Sequence, residues 1–357
     1  MIFSSPMLRL VAGLLISALV TSIAQAQASP LYKPAPAFSA VDLAVIVNDS
    51  DPLSRKIAAY YQQKRQIPAD QIIHVRFAPH HAFLSQSEFK KLKEHVDSLT
   101  PKHVQAFALT WLQPFRVECM SITTAFAAGF DPAFCAEGCK QTRPSPYFAS
   151  EETKPYAKHS WRPTMVLAAE NFNDAKALID RGVAADFSRP QGAGYLLKTS
   201  DSARSSRAAL FPGIVAKFKP FWELHYLEQD YIAGHDDVMF YFTGLTHVPH
   251  ITNNRFLPGA VADHLTSAGG VMSGSSQMNV MEWLKAGATG SYGAVVEPCN
   301  FPAKFPNPGI LIYHYLRGSS LIEAYWKSVA QPGQGIFVGE PLAKPFAFQD
   351  VSGKRPD

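Results

Sequence analysis

Residues 42–52 read Asp42-Leu-Ala-Val-Ile-Val-Asn-Asp-Ser-Asp-Pro52. The run up to Val47 is apolar and rich in β-branched side chains, the pattern of a strand buried on both faces of a parallel sheet. The polar stretch after it offers Asp and Ser as helix caps. Pro52 suits a first helical turn, where its missing N–H would have no partner anyway. Ile57, Tyr60, Tyr61 and Lys64 carry a helical pattern to Arg65, and Ile67-Pro68 breaks it. Ile72-Ile-His-Val-Arg76 predicts a second strand. Ser85-Gln-Ser-Glu88 has the form of a capping box, and Phe89, Leu92, Val96 and Leu99 follow at helical spacing. Val104 to Trp111 predicts a third strand. The order strand, helix, strand, helix, strand over 42–111 implies parallel pairing through right-handed crossovers.

Residues 118–163 interrupt this alternation. They hold three of the four cysteines, many Pro and Ser, and little periodicity, so they read as an irregular insertion. A strand at Thr164–Ala169 and an amphipathic helix at Asn173–Asp186 resume the pattern. Strands at Gly194–Leu197 and Val238–Thr243 follow, with helical or irregular chain between them. Val271-Met272 reads as a short strand, Asn279–Ala286 as a helix and Gly293–Val296 as a strand. Helices near 308–317 and 320–329 precede a last strand at Gly335–Val338. The expected fold class is α/β, a mostly parallel sheet flanked by helices in three layers. One domain spans 41–348, between an extended leader at 27–40 and a polar tail at 349–357.

The 357 residues are 47% hydrophobic and 17% charged, which excludes wholesale disorder. Formal charge is +4 and no Lys/Arg run stands out, so nucleic acid is not an expected partner. The N-terminus reads as a signal peptide over 1–26: Arg9 in the start, apolar Leu10–Val20, then Ala24-Gln25-Ala26 for cleavage. Ala26-Gln27-Ala28 is a second candidate cleavage site, and an uncleaved anchor is the alternative. No later apolar stretch reaches spanning length. The mature chain is therefore expected to be periplasmic or extracellular, without a transmembrane segment. In that compartment Cys119, Cys135, Cys139 and Cys299 favour disulfides. Cys135 and Cys139 are close enough to close a small loop around Gly138. Cys119 and Cys299 would then form the second pair or stay free. Zinc on this CxxxC lacks a second ligand pair, and no metal or cofactor is expected.

Ligand sites in open α/β sheets lie beyond the carboxyl ends of strands. That rule selects Asn48, Asp49 and Asp51, then Lys198 and Asp201, the stretch Thr243-Gly-Leu-Thr-His-Val-Pro-His250, Ser273 to Gln277, and Glu297-Pro-Cys-Asn300. His247 is the candidate general base, because imidazole titrates near working pH. Ser273 and Ser275 offer hydroxyl nucleophiles, although no Gly-x-Ser-x-Gly elbow surrounds them. Glu297 is the candidate assisting carboxylate. Asn48, Asp49, Asp201, Thr246, His250, Gln277 and Asn300 are the candidate binding residues. Loop polarity and helix capping explain any one of these taken singly. If all strands point one way, the Thr246, Ser275 and Glu297 neighbourhoods share one rim. Gly287 to Gly293 joins a helix to a strand, the reverse of a dinucleotide fingerprint, and no Walker A, HExxH or EF-hand sequence is present. Trp111, Trp161, Trp222, Trp283 and Trp326 are scattered, which suits core packing.

Several segments together resemble an uncharacterised family of secreted bacterial proteins found in exosortase-carrying genomes. They are Asp42–Asn48, Ala59–Pro68, Ser121–Ala125, Gly287–Cys299, Glu323–Tyr325 and Gly339–Leu342. The resemblance covers most of the mature chain and implies an exported protein without naming an activity. The order of the Asn173–Asp186 helix, Gly194–Asp201, Phe240–Gly244 and Gly287-Ala288 is more distantly similar to gingipain-type cysteine peptidases of the caspase-like fold. That likeness implies a His-Gly pair after one strand and a Cys after the next. Here Gly244-Leu-Thr-His247 and Ser273 stand instead. The expected function is a non-catalytic caspase-like scaffold binding an envelope protein, peptide or glycan. The alternative is a hydrolase or transferase using His247 with Ser273 or Ser275, and Glu297.

Overall fold

A computed structural model describes Met1 and residues 36–136 and 138–348. The expected signal peptide after Met1, the expected leader up to residue 35 and the expected polar tail lie outside the described residues. Strand β1 (Leu43–Asn48) is buried at every position, as its unbroken apolar run requires. Asp51 caps α1 (Pro52–Arg65) by accepting from Leu53 N, with Pro52 in the first turn. Then come β2 (Ile72–Val75), β3 (Phe83–Leu84) and α2 (Gln86–Leu99), the last opened by the Ser85/Glu88 capping box. β4 (Ala106–Leu109) completes the first βαβαβ run.

The stretch 118–163 is not irregular throughout. β5 (Arg116–Val117) and β6 (Met120–Ser121) form a small sheet with β3. α3 (Ile122–Ala128) and α4 (Pro155–His159) follow, α3 capped by the Ser121 hydroxyl. Next are β7 (Thr164–Val166), α5 (Phe172–Ala185), β8 (Ala193–Lys198) and α6 (Phe211–Phe218). β9 (Leu224–Glu228) lies in the segment expected to be helical or irregular, and β10 (Val238–Thr243) follows.

The strand expected at Val271-Met272 is absent, and the next strand is instead β11 (Phe256–His264). Pro258 and Gly259 argue against a strand there, because Pro cannot donate to a ladder. The sheet absorbs them as a bulge, the pairing jumping from Val238↔Phe256 to Phe240↔Val261. Gly259 sits at φ +89, its N–H donating to Thr289 Oγ1 and its carbonyl accepting from Tyr315 Oη. The chain ends with α7 (Met281–Ala286), β12 (Gly290–Ala294), α8 (Pro308–Leu316), α9 (Leu321–Ser328) and β13 (Gly335–Gly339).

Ten strands form one sheet in the order β2-β1-β4-β7-β13-β12-β11-β10-β8-β9. All neighbours pair parallel except β12 and β13, which are antiparallel. The expectation that every strand points one way is therefore corrected. The sheet is two parallel blocks running in opposite directions, joined at the β12/β13 seam. Both blocks use the same winding, with the first strand of each flanked by the second on one side and the third on the other. The carboxyl ends of β1, β4 and β7 leave one rim, and those of β8, β10, β11 and β12 leave the opposite rim.

Helices cover both faces. Tyr241 and Phe242 alternate across β10, and the side of Tyr241 meets Trp283 of α7. On the other side, Tyr292 and Phe337 pack together and Trp326 of α9 stacks on Phe337 at 4.2 Å. α5 joins α7 through Arg181, which donates to the Leu284 carbonyl. A buried ionic cluster fastens the chain after β13. Arg65 donates to Glu340 at 2.5 Å and to Asp186 at 2.5 Å, and Tyr61 Oη donates to Glu340 at 2.6 Å.

The expected Cys135–Cys139 bond is replaced by Cys119–Cys135 and Cys139–Cys299, with Cα separations of 5.4 and 5.6 Å. The turn Pro132–Phe134 explains the exchange. It lies against the residue after Cys119, with Asp131 N donating to Met120 Sδ, and so carries Cys135 to Cys119. Cys139 is left to reach Cys299 beyond β12. No free cysteine occurs among the described residues.

Candidate functional site

Each block has a point where its strand order reverses, between β1 and β4 in the first and between β8 and β10 in the second. A crevice opens beyond the carboxyl ends at such a point. The second crevice is filled by the protein itself. The Gly244 backbone lies against the Arg204 carbonyl, where a Cβ would collide. Thr199 Oγ1 donates to the Gly244 carbonyl at 2.7 Å, and Thr199 N donates to Ser205 Oγ at 2.9 Å. Arg204 donates to Asp201 at 2.7 Å and to Thr266 Oγ1 at 3.0 Å. Against the cost of burial, the bonds from Arg204 hold the Asp201 carboxyl below its ordinary range. Thr266 Oγ1 donates to Gln277 Oε1 at 2.7 Å.

His264, at the end of β11, is fixed from both sides. Nδ1 accepts from Trp283 Nε1 at 2.8 Å, so Nε2 carries the proton and donates to the Met278 carbonyl at 3.0 Å. Burial pushes its pKa down to about 4, and the neutral ring has no nitrogen left for proton transfer. His247 is exposed, and among the described residues no hydrogen bond joins it to Ser273 or Ser275. Ser275 Oγ accepts from Gln277 N at 3.0 Å, and Ser273 Oγ accepts from Gln113 Nε2 at 2.6 Å. Glu297 caps its own turn, taking Cys299 N at 2.7 Å. The position after β11 holds Leu265-Thr266-Ser267, with no thiol, and all four cysteines are bonded.

The structure brings some of the expected binding residues together and separates others. Thr246 and Gln277 meet through Met278 N, which donates to the Thr246 carbonyl at 3.0 Å. His250 turns away at φ 58 with its ring 4.6 Å from Tyr231, and Asn300 is an exposed loop residue. Asn48 and Asp49 lie on the opposite rim. Asn48 is fully buried and pins the ends of β1 and β2, donating to the Phe77 carbonyl and accepting from Ser50 N and Phe77 N. His74 donates to Asp49 at 2.7 Å, and this bond holds the Asp49 carboxyl below its ordinary range.

The first crevice is open. A cleft of about 270 Å³ lies beyond β1, β4 and β7. Asp51 and Leu53 border it at the start of α1, Thr110 to Gln113 after β4, and Ala168 to Glu170 after β7. Met272 closes one wall from the connection after β11, which reaches over from the second block. Trp111 is 1% exposed, and its indole N–H has no acceptor among the described residues. Among the described residues no group of His, Cys, Asp and Glu is arranged to hold a metal, and no helix is long and apolar enough to cross a membrane. The sequence names the loop after β1 but not Leu112 or Gln113; Trp111, read as a core residue, is buried as expected and also lines the cleft. The reversal of strand order after β2 was the signal that pointed there.

The chain matches no protein-family model, no curated protein and no solved structure.

Proposed function

We propose that this is an exported, non-catalytic binding protein whose ligand site is the cleft beyond β1, β4 and β7. The observation that carries the reading is the contrast between the two crevices. One is plugged by Arg204 and its hydrogen bonds, while the other is open and lined by apolar walls with a few polar groups. The candidate catalytic groups support a binding role, because His247, Ser273, Ser275 and Glu297 form no base–nucleophile pair. A general base must come within hydrogen-bond reach of the proton that it takes. The two disulfides suit an oxidising compartment, in keeping with the signal-peptide pattern and the exosortase-associated resemblance. The occupant is an envelope protein, peptide or glycan. On the caspase-like resemblance, the scaffold is one that lacks its dyad.

The test compares retention of material from a periplasmic extract by wild type, Met272→Trp and His247→Ala. Filling the cleft at Met272 should abolish retention, and His247→Ala should leave it intact. Loss with His247→Ala, together with turnover of the retained material, would establish the hydrolase reading instead.

A further inference from the structure

A second, smaller pocket lies between α5 and α7. Its volume is about 50 Å³, the space of one small ion with little room to spare. Ala177, Leu178 and Arg181 line it from one face of α5, and Met281 and Leu284 from one face of α7. Ala168 to Glu170, after β7, complete the wall and border the larger cleft as well. Named bonds hold this frame. Arg181 Nη2 donates to the Leu284 and Ala288 carbonyls at 3.1 and 2.7 Å, and Lys285 pairs with Glu170 at 2.9 Å.

Arg181 is the group that the frame leaves unbalanced. Nη2 is committed to α7, and Nε is sealed in the protein without a partner. Nη1 makes no hydrogen bond among the described residues and keeps accessible surface, so it is the edge of the guanidinium open to the pocket. Burial lowers the Arg181 pKa to about 10, with no carboxylate close enough to offset it. The group therefore stays charged at neutral pH without a counter-ion. The two carboxylates that border the pocket are engaged elsewhere. Glu170 is held by Lys285, and Asp174 Oδ2 accepts from Asn171 Nδ2 at 2.8 Å. Lys285 is shared with Glu282 at 3.1 Å and brings no spare charge. The loop supplies further donors. The ladder between β4 and β7 ends with Leu167 N donating to the Leu109 carbonyl at 2.8 Å, and the N–H groups of Ala168, Ala169 and Glu170 reach no acceptor among the described residues.

A cation without a partner, free backbone N–H groups and aliphatic walls surround a space of ionic size, and each of those donors is costly to leave unmet. We infer that this pocket binds a small monovalent anion, a halide or a carboxylate of formate size, between Arg181 Nη1 and the backbone N–H groups after β7. Sulfate or phosphate fits poorly, since one guanidinium beside two carboxylates cannot neutralise a double charge. The inference does not depend on what occupies the larger cleft.

Amide spectra of the protein, titrated with sodium bromide or sodium formate against sodium gluconate at constant ionic strength, test this. Bromide and formate should each shift the Ala168, Ala169 and Glu170 resonances along a saturating curve, and saturation by only one of the two would identify the source. Arg181→Gln should weaken binding by about tenfold or more, the scale of a charge-assisted hydrogen bond. That change also loosens α7, so a second variant is needed. Ala177→Leu keeps Arg181 and a strong helix former, fills the pocket, and should abolish the shifts while the rest of the spectrum stays in place. Shifts that grow linearly with salt, that gluconate reproduces, or that survive unchanged in Ala177→Leu would overturn the inference.

Discussion

Gln113 Nε2 donates to Ser273 Oγ across 2.6 Å, tying the loop after β4 to the connection after β11. Ser273 thus serves as a latch across the seam between the two blocks. Met272, its chain neighbour, is held as a cleft wall by the same contact.

If Ser273 acts as a latch, Ser273→Ala and Gln113→Ala cut one bond and should behave alike. Each should weaken ligand retention a few-fold, and the double variant should be no worse than either single one, a coupled pair in a double-mutant cycle. Additive losses, or an effect of Ser273→Ala alone, would show that the serine acts independently of Gln113.

Gly244 allows the Arg204 carbonyl to fill the second crevice. Gly244→Ala should therefore destabilise the fold by about 1–3 kcal/mol, the usual scale of overpacking against backbone. Urea unfolding measures it, and a change below about 0.5 kcal/mol would mean that the crevice is loosely filled.

Much of the first block is legible in the sequence, because its signals are local. The Asp51 cap, the Ser85/Glu88 box and the apolar run from Leu43 each depend on a few neighbouring residues, and each appears where expected. β11 escapes because Pro258 and Gly259 look like a break, and only the partner groups on Thr289 and Tyr315 make the bulge tolerable. The direction of β13 and the pairing of Cys139 with Cys299 are long-range facts that no local pattern encodes. In the site, the loops after β1, β10 and β12 are found from strand ends alone. Which loops meet across the sheet depends on strand order, and that placed Asn48 and Asp49 away from Thr246.

Buried histidines make stability depend on pH. Burial lowers the pKa of His264 to about 4 and that of His314 to about 3, from about 6.5 when unfolded. A depressed pKa means that the unfolded chain binds more protons below 6.5. The stabilisation is thus complete above that pH and is lost as pH falls towards 4. His264 alone accounts for about 3 kcal/mol across its window. Denaturation midpoints between pH 7 and 4.5 should fall steadily, and His264→Gln should flatten the slope. A flat wild-type profile would contradict the buried neutral ring.

Disulfide mapping of the non-reduced chain should recover peptides linking Cys119 to Cys135 and Cys139 to Cys299. The second bond spans a sequence separation of 160 and the first 16. On the chain-entropy account, removing them costs about 5 and about 3 kcal/mol respectively. A peptide linking Cys135 to Cys139 would overturn this pairing.

Breaking the Arg65–Glu340 pair leaves a buried charge with only Asp186 beside it. Glu340→Ala should cost about 3–5 kcal/mol by urea unfolding. A loss under about 1 kcal/mol would show that the cluster does not fasten the chain after β13.

Two tryptophans report separately on the two rims. Trp111 is a lining residue of the open cleft, while the Trp283 indole N–H is bonded to His264 beneath the plugged rim. Nitrogen-15 indole spectra of the protein, recorded while adding the low-molecular-mass fraction of a periplasmic extract, compare them directly. The account predicts that the Trp111 resonance, assigned by its loss in Trp111→Phe, shifts on binding while that of Trp283 stays in place. A shift confined to Trp283 would move ligand recognition to the His247 rim and contradict it.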